Sequence, residues 1–329
     1  MQDLVADIIT RECRKILPEE GKLRDVIVKA EKRFGFHVVT SPRFICTLKV
    51  SGRYDEPLGI KVFVKNRANV EQEYENMRLL WRTHYAGNPN YHIPEPLYID
   101  AEHALLFMRY WPGDSFLPLF YKCAARGRQR RISLVEDYAQ STARWLVDFQ
   151  DIYSSPEEKE IPSEMLDFET PLEQAAFLDR ATQRRVIQKM RSLREAIPKL
   201  RETYVHDQYL FRNILYNNGD VCVVDFPHFR IGWPLYDFFT FYTGIERLKQ
   251  YPFISKATCD LMKDVFARTY FLTKGIDFDA QALENLWACF VVVYVGKRYK
   301  YKKFGGLRGA VNNMFVKQMF GKLAMWSKQ

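Results

Sequence analysis

One stretch of the chain, Tyr204–Phe226, constrains the rest most strongly. It reads YVHDQYLFRNILYNNGDVCVVDF. Two short apolar runs, NILYN and VCVVDF, flank Asn217-Asn218-Gly219-Asp220. An Asn-Gly pair set between such runs is a strong hairpin signal. The groups around this hairpin are chemically suggestive. His206 and Asp207 precede it, Asn213 opens it, and Asp225 ends its second strand. Phosphoryl transfer needs groups of this kind: one carboxylate to orient the attacking hydroxyl, and an Asn and an Asp to hold Mg²⁺ on the phosphates.

The chain has 329 residues, 47% of them hydrophobic, enough to bury a large core in one large or two small domains. Aromatic residues make up 15%, which suits a packed enzyme and argues against disorder. No apolar run approaches the roughly 18 residues that a bilayer span requires. The first residues, MQDLVADIITRECRKIL, mix acidic and basic side chains and lack the apolar segment of a signal peptide. The six cysteines are far apart, without CxxC or Cys/His ligand spacing. They read as separate thiols in a reducing compartment, so a cytoplasmic location is expected.

The net charge of +9 is concentrated at one end. Nine Lys/Arg residues fall between Lys297 and Lys328, and no Asp or Glu follows Glu284. The segment YVGKRYKYKKFGGLRG interleaves these cations with Tyr299, Tyr301 and Phe304. A solvated helix face explains the pattern as well as an anionic partner does. If it is a docking surface, Lys297–Lys303 suit peripheral contact with an anionic membrane or glycolipid. Nucleic acid is not expected, because charge is the only feature pointing to it.

Helical spacing of Leu4, Val5, Ile8, Ile9 and Ile16 predicts a helix over 2–17. From about Val26 the period changes, and HVVTS, FICTLKVS and GIKVFVK alternate as strands. Residues 70–84 return to helical spacing, and PLYID and ALLFMRY form a further hairpin. Beyond Phe116 helices are expected at 133–153, about 172–179, 183–200, 236–248, 256–274, 280–298 and 308–327. The acidic stretch Ser154–Pro171 reads as a flexible connection or insertion.

A small sheet with one helix, then a helical part carrying His206, Asn213-Ile214-Leu215, Val223-Val224-Asp225 and Gly232-Trp233-Pro234-Leu235-Tyr236-Asp237, resembles the protein-kinase-like fold. The variant it most resembles is the aminoglycoside phosphotransferase and choline kinase group, together with the lipopolysaccharide core sugar kinases. The likeness covers roughly residues 35–245 and is most specific over 204–237. It implies an α+β, two-lobed architecture. Residues 1–110 would form an N-terminal lobe with a small antiparallel sheet and one helix, and 111–329 a mainly helical C-terminal lobe. It further implies ATP and Mg²⁺ as cofactors, Asn213 and Asp225 as metal ligands, and Asp237 as a brace for the catalytic loop.

The resemblance leaves the base position open. In H-R-D-x-x-x-x-N the Asn follows the Asp by five residues. Counting back from Asn213 gives Gln208, with His206 in register, and a Gln cannot accept a proton. Taking Asp207 as the base requires one extra loop residue, a structurally cheap bulge. The nucleotide-binding Lys and its Glu are expected on the third strand and the following helix. Lys65 ends a V-x-V-K run like V-A-I-K, with Lys61 on the same face as the second candidate. Glu73 fits the helix position better than Glu75. The phosphate-covering loop is not evident; Gly35 and Ser41-Pro42-Arg43 are the only candidates. Met108–Asp114 would be the hinge, with Met108 and Tyr110 beside the adenine.

The expected activity is transfer of the γ-phosphoryl of ATP to a hydroxyl of a sugar, a glycolipid of the lipopolysaccharide core type, or another small molecule. The protein would be cytoplasmic, with contact at the inner membrane through the basic tail as the extension. The alternatives are a pseudokinase with Gln208 at the base position, serving as a nucleotide-binding or scaffold module, and a protein Ser/Thr kinase. The last fits poorly, because Gly232–Asp237 follows Asp225 too soon for an activation segment.

Overall fold

A computed structural model of the chain describes residues 1–16, 22–30, 43–51, 58–65, 67–88, 91–124, 132–160, 178–196, 199–277, 280–299 and 306–328. The chain divides into two compact units, Met1–Phe120 with His206–Phe229, and Tyr121–Val205 with Arg230–Gln329. The strands are β1 (Lys22–Ala30), β2 (Arg43–Ser51), β3 (Leu58–Val64), β4 (Tyr91–His92), β5 (Pro96–Asp100) and β6 (Leu105–Arg109). They continue with β7 (Asp114–Ser115), β8 (Ser154–Lys159), β9 (Leu200–Val205), β10 (Ile214–Asn217), β11 (Asp220–Val223) and β12 (Arg230–Gly232). The helices are α1 (Gln2–Arg11), α2 (Cys13–Ile16), α3 (Val70–Leu80), α4 (Phe116–Ala124) and α5 (Ile132–Asp151). Then come α6 (Arg180–Ala196), α7 (Leu235–Leu248), α8 (Lys256–Lys274), α9 (Ala280–Tyr299) and α10 (Gly306–Trp326).

The first unit is built on an antiparallel sheet of order β1-β2-β3-β6-β5. Helix α1 covers it, and Val5, Ile8 and Ile9 join Cys46, Ile60, Val62, Leu105 and Phe107 in one core. The i, i+3, i+4 spacing of those apolar residues creates the stripe that packs, and Asp3 and Arg11 sit at the helix ends that favour their charges. A second sheet, of order β4-β11-β10-β7, holds the hairpin of residues 214–223. Its register pairs Ile214 with Val223 and Asn217 with Asp220. Asn218 (φ 49°) and Gly219 (φ 102°) both take the left-handed conformation that a two-residue hairpin turn demands.

The second unit is mainly helical, with a three-stranded sheet of order β12-β9-β8. Its centre is aromatic: Phe238 of α7 contacts Phe266, Tyr270 and Phe271 of α8. The buried Glu246 carboxylate collects three lysines, Lys249 at 2.8 Å, Lys263 at 2.9 Å and Lys322 at 2.9 Å. The Lys263 ammonium also lies 4.1 Å from the Tyr242 ring centre and 4.6 Å from that of Trp287. These contacts tie α7, α8, α9 and α10 together.

The expected α+β fold, a small antiparallel sheet with many helices, is the one observed. Several local expectations are corrected. The predicted 2–17 helix breaks at Glu12 into two pieces. Ser154–Lys159, read as part of a flexible insertion, is a strand antiparallel to β9. Strand β1 and helix α4 went unpredicted. HVVTS, Gly35, Ser41-Pro42, most of the 172–179 helix and Lys300–Lys303 lie outside the described residues. Among the described residues no helix is long and apolar enough to cross a membrane.

Candidate active site

The site lies within the first unit, where strand β3, helix α3 and the β10–β11 hairpin each deliver a charged or polar group. Lys65 follows the last residue of β3, and its amide donates to the Ala104 carbonyl at 2.9 Å. Its ammonium sits 2.8 Å from Glu73 Oε1 and 2.8 Å from Asp225 Oδ1. The aligned hydrogen bond goes to Asp225, and the Glu73 contact is a charge pair. Glu73 is 1% exposed on the inner face of α3. Burial pushes its carboxyl up, against the pull of Lys65. Burial opposes the Lys65 charge, but two carboxylates outweigh it and its pKa is raised. Burial likewise opposes the Asp225 charge, and Lys65 holds that carboxyl below its usual range.

Asp225 carries a backbone φ of 82° and Asp207 one of 65°. Non-glycine residues in this region store strain, which persists only where the surroundings over-determine it. Around Asp225 the restraints are explicit. The Val224 amide donates to the Asn213 carbonyl at 2.9 Å, and the Val224 carbonyl lies 3.2 Å from His206 Nε2. On the other side the Phe226 carbonyl accepts from Asn76 Nδ2 at 2.9 Å.

His206 is fully buried against the Phe226 ring, 4.5 Å between centres. Its Nδ1 accepts from the Gln208 amide at 3.2 Å, which assigns the proton to Nε2 and fixes a neutral ring. Burial pushes its pKa down to about 4. Asn213 is buried in a single 3₁₀ turn, Phe211–Asn213. Its Nδ2 donates to the Gln208 carbonyl at 2.9 Å, so its oxygen is the end left to meet a cation. The Gln208 side chain accepts from Arg212 at 3.0 Å in an exposed contact. Asp207 is half-buried. Among the described residues no three His, Cys, Asp or Glu side chains converge as a metal cluster.

The other expected residues fall as follows. Lys61 pairs with Met108 across β3 and β6, and its ammonium lies 5.5 Å from the Phe63 ring centre. Met108 is wholly buried. The Tyr110 amide donates to the Gly59 carbonyl at 2.9 Å. Asp237 is fully buried in the first turn of α7. Two features were not anticipated. Trp111 packs on a small cluster of Leu215, Cys222 and Val224 beside Asp225. Asn76 was the other, although an Asn one turn after Glu73 on the buried face of an amphipathic helix was a readable signal.

A family model described as the phosphotransferase enzyme family (APH) matches residues 38–261. The chain belongs to that family. Among solved structures, this phosphotransferase is similar to a Ralstonia eutropha protein assigned as an aminoglycoside phosphotransferase, at a TM-score of 0.64 and 14% identity over 98% of each chain. A choline/ethanolamine kinase family protein from Mesorhizobium loti gives a TM-score of 0.53 at 14% identity, covering 100% of this chain and 96% of its own. Choline kinase from Cryptosporidium parvum gives 0.54 at 11%, covering 98% and 95%. These likenesses establish the kinase-like fold of the phosphotransferase. A search of curated proteins finds no match to the sequence.

Proposed function

We propose that this phosphotransferase moves the γ-phosphoryl of ATP to a hydroxyl of a sugar, a glycolipid or another small molecule, with Mg²⁺. The observation that carries the reading is the Lys65 ammonium, 2.8 Å from both Glu73 and Asp225. A cation held by a buried carboxylate beside a strand-end Asp is the arrangement that receives the α- and β-phosphates of a nucleotide. When bound, Mg²⁺ would neutralise charge on the phosphates, and Asn213 and Asp225 are the oxygen ligands suited to it. Lys65 supplies fixed positive charge on the nucleotide side. His206 holds the loop from behind.

In this reading Asp207 accepts a hydrogen bond from the acceptor hydroxyl and takes its proton as the oxygen attacks phosphorus. Gln208 is unsuited, since its side chain turns to Arg212 and cannot take a proton. The acceptor we favour is a glycan or glycolipid at the cytoplasmic face of a membrane. The reason is the acid-free basic run Lys297–Lys303, which lies beyond the described side chains. The neighbours named as choline and aminoglycoside kinases make a soluble amine or amino sugar the next acceptor to try.

The test is a phosphotransfer assay with labelled ATP and Mg²⁺ against lipopolysaccharide core sugars, aminoglycosides and choline. Each is run with the natural chain and with Asp207→Ala. Transfer to one class that disappears in Asp207→Ala supports the assignment. Transfer that survives the substitution removes Asp207 as base, and nucleotide binding without transfer to any acceptor removes the enzymatic reading.

A further inference from the structure

We infer that Asn76 is a positioning residue for Asp225, acting through the peptide that follows it; this rests on the reading of Asp225 as the metal-binding carboxylate. Asn76 is 8% exposed on the inner face of α3, three residues after Glu73. Both ends of its side-chain amide are committed. Its Nδ2 donates to the Phe226 carbonyl at 2.9 Å, and its Oδ1 accepts from Gln72 Nε2 at 2.8 Å. A side chain bonded at both ends is fixed in orientation.

The purpose follows from the strain at Asp225. A residue at φ 82° is held there by its neighbours. The Val224 peptide before it is pinned by Asn213 and His206. After it, the Phe226 carbonyl accepts from Asn76 Nδ2 at 2.9 Å and from the Phe229 amide at 3.3 Å. Helix α3 therefore holds the backbone at Phe226 through Asn76. Glu73 is engaged by the Lys65 ammonium, whereas Asn76 bonds to the backbone and to Gln72. The Phe226 carbonyl disfavours a flipped Asn76 amide, which would set two oxygens together, and the Gln72 donor reinforces the same orientation.

Hydrogen exchange in the ligand-free protein tests the inference independently of any activity. Asn76→Leu keeps the volume and removes both bonds; Gln72→Ala, at an exposed position, removes only the orienting one and leaves the fold intact. The expected result is roughly tenfold faster exchange of the amides from Val224 to Phe229 in Asn76→Leu, a smaller change of the same sign in Gln72→Ala, and no change in the 214–223 hairpin. The concentration of Mn²⁺ needed for half-saturation, read by titration with nucleotide present, should rise in the same order. Unchanged exchange at 224–229, or an equal rise across the whole unit, overturns the positioning role. If the natural chain binds no metal–nucleotide, the reading of Asp225 fails, and the exchange data still decide whether Asn76 holds this backbone.

Discussion

His206 Nε2 lies 3.2 Å from the carbonyl of Val224, the residue immediately before Asp225. The ring is a structural strut, and it works only while neutral. Burial moves its pKa from 6.5 down to about 4, so on acidification the unfolded chain binds the proton first. Stability from this group is fully present above pH 6.5 and is lost as the pH falls towards 4. At about 1.4 kcal/mol per pH unit the loss reaches about 3 kcal/mol. His206→Gln should be less stable than the natural chain at pH 7, and the gap should narrow by about 2–3 kcal/mol at pH 4.5. Urea unfolding at the two pH values measures it. An equal gap at both would mean that the ring is not held neutral.

Lys65 serves two carboxylates, one of them almost wholly buried. Removing one partner of a buried pair leaves an uncompensated charge and typically costs about 3–5 kcal/mol. Lys65→Met should therefore lose both stability and phosphotransfer. The double variant Lys65→Met/Glu73→Gln should recover much of the stability and none of the activity. A double-mutant cycle in chemical denaturation checks the coupling, and additivity would count against the pair.

Asp207 and Gln208 separate by kinetics. Asp207→Asn should lower kcat by about 10²–10⁴-fold with nucleotide affinity little changed, as expected for loss of a general base. Gln208→Ala breaks only an exposed contact with Arg212 and should change kcat by less than about threefold. The opposite ranking would move the base to position 208.

In the second unit, Glu246 is the shared counter-charge of three lysines. Burial opposes its ionisation, but Lys263 and Lys322 hold its pKa down to about 2, from 4.5. Its contribution is present above pH 4.5 and lost only as the pH falls towards 2. Glu246→Gln should cost about 3–5 kcal/mol at pH 7 and free the end of α10, where Lys322 is anchored. Limited proteolysis beyond residue 306 should speed up in that variant; unchanged cleavage would show that α10 is held by its apolar side alone.

How much of this was legible in the sequence depends on whether the cause is local. The hairpin was, because Asn218-Gly219 dictates its turn and alternation dictates its faces. Helix α3 and strand β3 were, through periodicity, and with them the candidates Lys65 and Glu73. Strand β8 was not, since SSPEEK has no strand character of its own and is one only because β9 lies beside it. The neutral tautomer of His206 and the Asn76 contact were not legible either. The first depends on how the loop folds the Gln208 amide and the Val224 carbonyl onto the ring, the second on a backbone group 150 residues away.

The hairpin has a consequence in time. Asn213 and Asp225 stand at its two ends, and a hairpin closes in about 1–10 μs. Lys65 reaches Asp225 only across a separation of 160 residues. The oxygen half of the site is thus assembled by the nascent chain as a local event. The ammonium half must await the docking of a strand synthesised long before. A refolding experiment should see the two halves mature at different rates.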